Sequence, residues 1–199
     1  MPSVHLVRHG QASFGADDYD VLSPLGRSQS AVTGEALRGR GLRSPVAVSG
    51  TLRRQRDTAA LAGFDTVTVD PRWNEYDHLD LLRRYVDDTS RPVQTMLDDA
   101  LLAWVGDPAG GWPDFSAGAV AALASLELPS GRDAVVFTSG GVIAAVCAQL
   151  WGLGAAGVVA LNRVAVNGAV TRLAVGRSGT TRVSFNEHGH LAAADTTFR

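Results

Sequence analysis

Short apolar runs alternate along the chain with longer stretches in which apolar residues recur at helical spacing. Val4-His5-Leu6-Val7 is a β-rich run that stops at Arg8-His9-Gly10, where the glycine predicts a loop leaving the strand. After a polar loop, Ser23-Pro24 predicts an N-cap followed by proline in the first helical position. Leu25, Val32, Ala36 and Leu37 then mark an apolar helix face that ends at Gly39 and Gly41. A strand at Pro45 to Ser49, a helix from about Leu52 to Ala62 and a strand at Thr66 to Val69 follow. This β-α-β-α-β order is that of a parallel sheet with helices on both faces.

The middle of the chain, Asp70 to Leu128, is richer in helix formers and acids. It predicts helices near Asp80 to Asp87, Val93 to Val105 and Ser116 to Leu126, with a loop at Gly106 to Pro113 marked by its glycines and prolines. Ala134 to Thr138 resumes the sheet and leads through Gly140-Gly141 into a helix from Val142. Two alternating strands, Ala169 to Val175 and Thr181 to Phe185, flank the turn at Gly176 to Gly179. The uncharged run Ser139 to Leu161 is long enough to span a bilayer. Gly140, Gly141, Gln149, Gly152, Gly154 and Gly157 instead divide it into a strand-end turn, a helix of about a dozen residues and a loop. No repeat, low-complexity tract or interdomain linker interrupts the pattern. The expected fold is α/β, a three-layer α/β/α arrangement around a mostly parallel central sheet, in one domain over 1–199.

Composition narrows the chemistry. The 199 residues are 45% hydrophobic and 19% charged with a net charge of −2, enough for one substantial core and without the footprint of a nucleic-acid binder. All 18 of the Lys and Arg residues are arginines. Without lysine there can be no Schiff base, no pyridoxal-phosphate enzyme and no G-x-x-x-x-G-K-[ST] phosphate loop. Any anion must be held by guanidinium, whose planar fork suits carboxylate and phosphate. Most of the arginine count is explained by a composition bias, so individual positions carry the inference. The single cysteine, Cys147, lies in an apolar run and reads as a buried hydrophobe of a reduced compartment. The amino terminus does not read as a signal peptide, and the expected location is cytoplasmic, with no membrane partner.

In open α/β sheets, ligands bind at the carboxyl ends of strands. Arg8, His9 and Gly10 follow the first strand. Ser49 and, in the next helix, Arg53, Arg54 and Arg56 follow the second, Arg72 to His78 follows the third, and Thr138-Ser139-Gly140-Gly141 follows the fourth. Histidine, arginines, a carboxylate and a glycine turn at a helix start suit phosphoryl transfer. Neutral imidazole is a nucleophile, guanidinium and backbone N–H groups neutralise the equatorial oxygens, and a carboxylic acid protonates the leaving oxygen.

Leu6-Val7-Arg8-His9-Gly10-Gln11-Ala12-Ser13 resembles the opening signature of the histidine phosphatase superfamily, whose fold is phosphoglycerate mutase-like. Leu22 to Gln29 is similar to that family's Leu-Thr-x-x-Gly-x-x-Gln helix start. Ser49 to Arg54 with Thr58-Ala59 is similar to its Ser-x-x-Leu-x-Arg-Ala-x-Gln-Thr-Ala segment, and Asn186 with His190-Leu191 to its closing Asn-x-x-x-His-Leu. The resemblance implies that His9 is the phosphorylated nucleophile, that Arg8 and Arg54 grip phosphate, and that Glu75 is the general acid. Gln11 and Ser13, on the same loop as His9, are candidates for contact with phosphate or substrate, as is Gly140. From the residues alone, Arg53 and Arg56 compete with Arg54, and Asp77 competes with Glu75. The resemblance further implies a helical insertion at about 76–128 that forms the pocket for a small phosphorylated substrate, and a reaction that needs no metal or other cofactor.

The chain departs from the family pattern at the fourth strand. Ser-His-Gly-Gly is usual, and Thr138-Ser139-Gly140-Gly141 stands here, so Ser139 takes the place of a histidine that contacts the phosphoryl group. A serine hydroxyl donates a hydrogen bond but carries no charge, and His78, three residues after Glu75, is the candidate replacement. Ser139 does not form a G-x-S-x-G nucleophile elbow, because position 137 is phenylalanine. His188-Gly189-His190 lacks a third ligand at a recognised metal spacing. The leading function is a metal-independent phosphatase acting through a phosphohistidine. A mutase-type phosphoryl transferase and a phospho-ligand-binding protein that lost turnover with the histidine are the alternatives. The Trp104 to Trp112 region is available to pack on a second subunit as a homodimer or to cover the site.

Overall fold

The computed structural model describes residues 1–13, 19–128 and 131–198. The polar loop expected before Ser23 includes residues 14–18, which lie outside the described residues.

Strand β1 (Ser3–Arg8) runs through the middle of a six-stranded sheet of order β3-β2-β4-β1-β5-β6. Its neighbours are β4 (Ala134–Thr138), parallel to it, and β5 (Val170–Gly176), antiparallel. β2 (Val46–Ser49) pairs in parallel with β4 and with β3 (Thr68–Val69), while β6 (Gly179–Glu187) closes the far edge antiparallel to β5. The sheet is thus mixed and mostly parallel. Alternation along the buried strands sorts their side chains into two cores. Val7, Val135 and Phe137 face Leu37, Ala59 and Ala62, which belong to α1 (Pro24–Gly39) and to α2 (Arg53–Leu61) with its C-cap. Val4, Leu6 and Val136 face the opposite layer, built from α5 (Trp112–Ala124) and α6 (Gly140–Trp151). Those two cores make the three-layer α/β/α arrangement.

A third cluster joins α3 (His78–Tyr85), α4 (Val93–Gly106), α6 and α7 (Ala155–Val164) through Leu81, Leu101, Trp104, Ala144 and Val158. Helix α1 starts as its sequence predicts: the Ser23 hydroxyl accepts from Gly26 N at 3.0 Å, and proline stands in the first turn.

Several elements differ from the sequence reading. The third strand shrinks to the exposed pair Thr68–Val69 at the sheet edge. Asp77 caps α3 by accepting from Leu79 N and Asp80 N, so the helix begins at His78 rather than Asp80. Helix α5 begins at Trp112, with Pro113 in the first turn, where a missing N–H has no helical partner to lose. Gly140-Gly141 is the first turn of α6, not a turn before it. The segment read as a loop after Trp151 contains α7, whose Val158 and Val159 are buried. Among the described residues, no helix is long and apolar enough to cross a membrane.

Candidate active site

The carboxyl ends of β1 and β4 lie side by side, with Arg8 in register with Thr138 and His9 N donating to Thr138 O at 2.9 Å. This places His9 on the wall of a cavity of about 110 Å³. The loop leaving β1 passes very close to α1. A Cβ on Gly10 would lie 2.2 Å from Gly26 O, so glycine is required for the approach. The imidazole is buried. Its Nδ1 lies 2.7 Å from Gly10 O, which can only accept, so Nδ1 carries the proton and Nε2 the lone pair. Arg54 Nε donates to that lone pair at 3.2 Å. Burial first, then the Arg54 and Arg8 charges, hold the His9 pKa well below the usual histidine value, which keeps Nε2 unprotonated.

Arg54 projects from the first turn of α2 and is buried. Leu52, the N-cap of α2, offers no side-chain cap. Asp20 serves instead: it accepts from Arg53 N at 2.7 Å and from Arg54 Nη1 at 2.8 Å, so one carboxylate holds both the helix end and the cation. The Tyr19 ring lies 5.3 Å from the same guanidinium.

Arg8 is arranged differently. Its Nη1 donates to Ala165 O, and to Phe198 O at 3.0 Å, which occupies both hydrogens of that nitrogen. Its Nε is buried and has no hydrogen-bond partner among the described residues. No carboxylate among them comes within ion-pair distance. The Nε/Nη2 edge, the one that can fork onto an oxyanion, thus has an Nε–H that no described group accepts.

Glu75 follows a 3-10 turn at Pro71–Trp73 and reaches the head of α6, where its Oε2 accepts from Gly141 N at 3.0 Å. A Cβ on Gly141 would fall 2.3 Å from both Glu75 Oε1 and the Tyr76 ring, so only glycine lets the carboxylate seat there. Burial raises the Glu75 pKa, opposed by the Gly141 N–H and by Arg54 and Arg8. His78 opens α3 on the cavity wall, 5.3 Å from the Tyr19 ring, and burial lowers its pKa.

The structure thus brings Arg8, His9, Arg54, Glu75 and His78 onto one cavity. It does not bring the other sequence candidates onto its wall. Ser139 is fully buried, and its hydroxyl oxygen accepts from Gln55 Nε2 at 2.8 Å. Gly140 lies behind Arg8, where a Cβ would stand 3.4 Å from its Nε. Gln11 Oε1 accepts from the Ser23 hydroxyl at 2.8 Å, and Ser13 N donates to Val21 O at 2.8 Å. Asn186 and His190 brace the chain beside the site: Asn186 Oδ1 accepts from Val166 N at 2.8 Å, and His190 Nε2 lies 3.2 Å from Gly168 O. Arg53, by contrast with Arg54, extends toward Asp57 on the helix surface, and Asp77 is used as the α3 cap.

The sequence reading missed Tyr19, Asp20, Asn162, Arg163 and Phe198. Asn162 Nδ2 donates to the Tyr76 hydroxyl at 3.3 Å, and Arg163 pairs with Asp98 at 2.7 Å. Both come from α7, where an apolar pattern gave no sign of a site. Among the described residues, no group of three His, Cys, Asp or Glu side chains is placed to hold a metal ion.

Comparison with known proteins adds to this geometry. The family model of the histidine phosphatase superfamily (branch 1) matches residues 4–188. Among solved structures, a mycobacterial glucosyl-3-phosphoglycerate phosphatase in complex with VO3 is 30% identical, with a TM-score of 0.68 over 94% of this chain and 100% of that one. A protein described as mycobacterial hydrolase 1 is 28% identical, with a TM-score of 0.67 over 94% and 99% of the two chains. A mutant phosphoserine phosphatase from Entamoeba histolytica, in complex with phosphoserine, shares the fold at 16% identity, with a TM-score of 0.66 over 96% and 100%. No curated protein sequence matches the chain.

Proposed function

The chain belongs to branch 1 of the histidine phosphatase superfamily, and from that premise we propose that it hydrolyses a small phosphomonoester by transferring the phosphoryl group to Nε2 of His9. The observation that carries this reading is Arg8, whose buried Nε has no hydrogen-bond partner and which pairs with no carboxylate within ion-pair distance among the described residues, on one cavity with the lone pair of a neutral histidine. A phosphate dianion supplies the acceptor that this Nε lacks. Phosphatase neighbours of the same fold, one of them 30% identical, support the reaction class.

In the proposed reaction the phosphoryl oxygens take hydrogen bonds from Arg8 and Arg54, and Arg54 Nε exchanges the imidazole for an oxygen of the substrate. Nε2 forms a bond to phosphorus as the ester P–O bond breaks in line. Glu75, whose pKa burial raises, gives its proton to the leaving oxygen. Water then attacks the phosphohistidine, the Glu75 carboxylate takes the water's proton, and orthophosphate leaves with Nε2 restored. Tyr76, His78, Gln94 and Leu97, all within the 76–128 segment, line the same cavity and are available to the leaving group.

The test is steady-state hydrolysis of p-nitrophenyl phosphate and a set of alkyl phosphates by purified wild type and His9→Ala, without added metal. Turnover that falls roughly 10³-fold or more in the variant is expected. Saturable phosphate binding without turnover would instead identify a phospho-ligand-binding protein, and phosphoryl exchange dependent on a bisphosphate primer a mutase.

A further inference from the structure

Adjacent residues on α2 point in different directions. Arg54 faces the cavity, whereas Gln55 turns into the protein and is fully buried. Both hydrogens of the Gln55 carboxamide are used: Nε2 donates to Trp73 O at 3.0 Å and to Ser139 Oγ at 2.8 Å. Its Oε1 has no partner among the described residues, and Gly50 closes that side so tightly that a Cβ there would lie 2.1 Å from Oε1. The carboxamide therefore has little room to take another pose.

Its two acceptors stand at informative places. Trp73 ends the 3-10 turn two residues before Glu75, and its carbonyl also accepts from the Thr138 hydroxyl at 2.7 Å. Ser139 is the N-cap residue of α6, two residues before the Gly141 amide that holds the Glu75 carboxylate. One side chain thus ties together the helix that carries Arg54, the segment that carries Glu75 and the helix head on which Glu75 rests. In a dry interior such bonds are strong, and a lost partner leaves an expensive orphan.

We propose that Gln55 is a positioning residue that sets where Glu75 stands relative to His9 and Arg54, acting through Trp73 and Ser139. The proposal rests on the phosphatase reading given above and assigns Ser139 to the brace rather than to the phosphoryl group.

The test is Gln55→Met, which keeps the reach of the side chain and removes its donors. It is compared with wild type on an alkyl phosphate, whose leaving group needs a proton, and on p-nitrophenyl phosphate, whose leaving group does not. Displacement of Glu75 is expected to lower the single-turnover rate of phosphoryl transfer to His9 from the alkyl ester about tenfold or more, while transfer from the aryl ester, which needs no acid, changes by less than about threefold. Ser139→Ala, which removes the acceptor, is expected to reproduce this pattern. The double variant is expected to be no worse than the weaker single, because the bond is one unit. Equal losses on both esters, no loss on either, or additive effects of the two substitutions would overturn the brace. Wild type active on both esters, with Gln55→Met keeping the same alkyl-to-aryl ratio, removes the brace alone. Wild type inactive on both removes the phosphatase reading and the brace with it.

Discussion

At the scale of single residues, the site is a problem of protonation states solved by burial. His9 and Glu75 are displaced from their ordinary pKa values in opposite directions, downward for the imidazole and upward for the carboxyl. His9 is therefore held toward the unprotonated form that a proposed nucleophile needs, and Glu75, the proposed acid, stays protonated further up the pH scale than a solvated carboxyl would. The sign of the pH dependence follows. Activity on an alkyl phosphate is expected to persist below pH 6.5, because His9 stays neutral there, and to decline as pH rises through the raised pKa of Glu75. Glu75→Gln should remove that alkaline decline along with most alkyl turnover, roughly 10²-fold or more, while sparing the single-turnover rate at which p-nitrophenyl phosphate phosphorylates His9, as pH–rate profiles on the alkyl ester and rapid-quench rates on the aryl ester would show. Position just beyond the first strand singled out Arg8 and His9 in the sequence, whereas only the family resemblance separated Arg54 from Arg53 and Arg56 and Glu75 from Asp77; the structure places all four on one cavity. Asp20 and Phe198 were not legible in the sequence, since their roles depend on where loop and tail return, and no local pattern encodes that. Gln11 and Ser13 share the His9 loop, yet their hydrogen bonds to Ser23 and Val21 serve the loop itself.

At the scale of elements, the head of α6 is the joint on which the acid depends. Glycine-glycine after a strand reads as a turn from propensity, because glycine is a poor helix former. Packing decides otherwise: Glu75 and Tyr76 occupy the space a Gly141 side chain would need, and every residue from Gly140 to Ala148 is buried. Gly141→Ala should therefore overpack the site by about 1–3 kcal/mol, lower the melting temperature by several degrees, and lower alkyl-phosphate turnover more than the stability loss explains. Calorimetry combined with rates on both esters measures the two effects separately. Helix α7 was missed for a related reason. Its valines and Gly157 carry little helical preference, and its helicity comes from burial of Val158 and Val159 in the cluster that α3, α4 and α6 share.

At the scale of the whole molecule, the parallel half of the sheet supplies the chemistry and the elements around it supply the supports. The β-α-β-α-β start predicts β1, β2, α1 and α2 closely because alternation and capping are local signals, whereas strand order depends on contacts far apart in the chain. β4 comes late in the chain yet lies between β1 and β2, and this brings Thr138 beside Arg8 and the Gly141 amide beside Glu75. The absence of lysine leaves any phosphate to guanidinium, and the two arginines proposed for that task are held in unlike ways: Arg54 is paired with Asp20, and among the described residues Arg8 is anchored by carbonyls. The measurement that bears most directly on this account is a brief incubation with a radiolabelled phosphomonoester, quenched by denaturation and followed by peptide mapping. An alkali-stable, acid-labile phosphoryl group on the peptide that carries His9, absent from His9→Ala, is the expected result. Label on another residue, or undiminished turnover in His9→Ala, would contradict it.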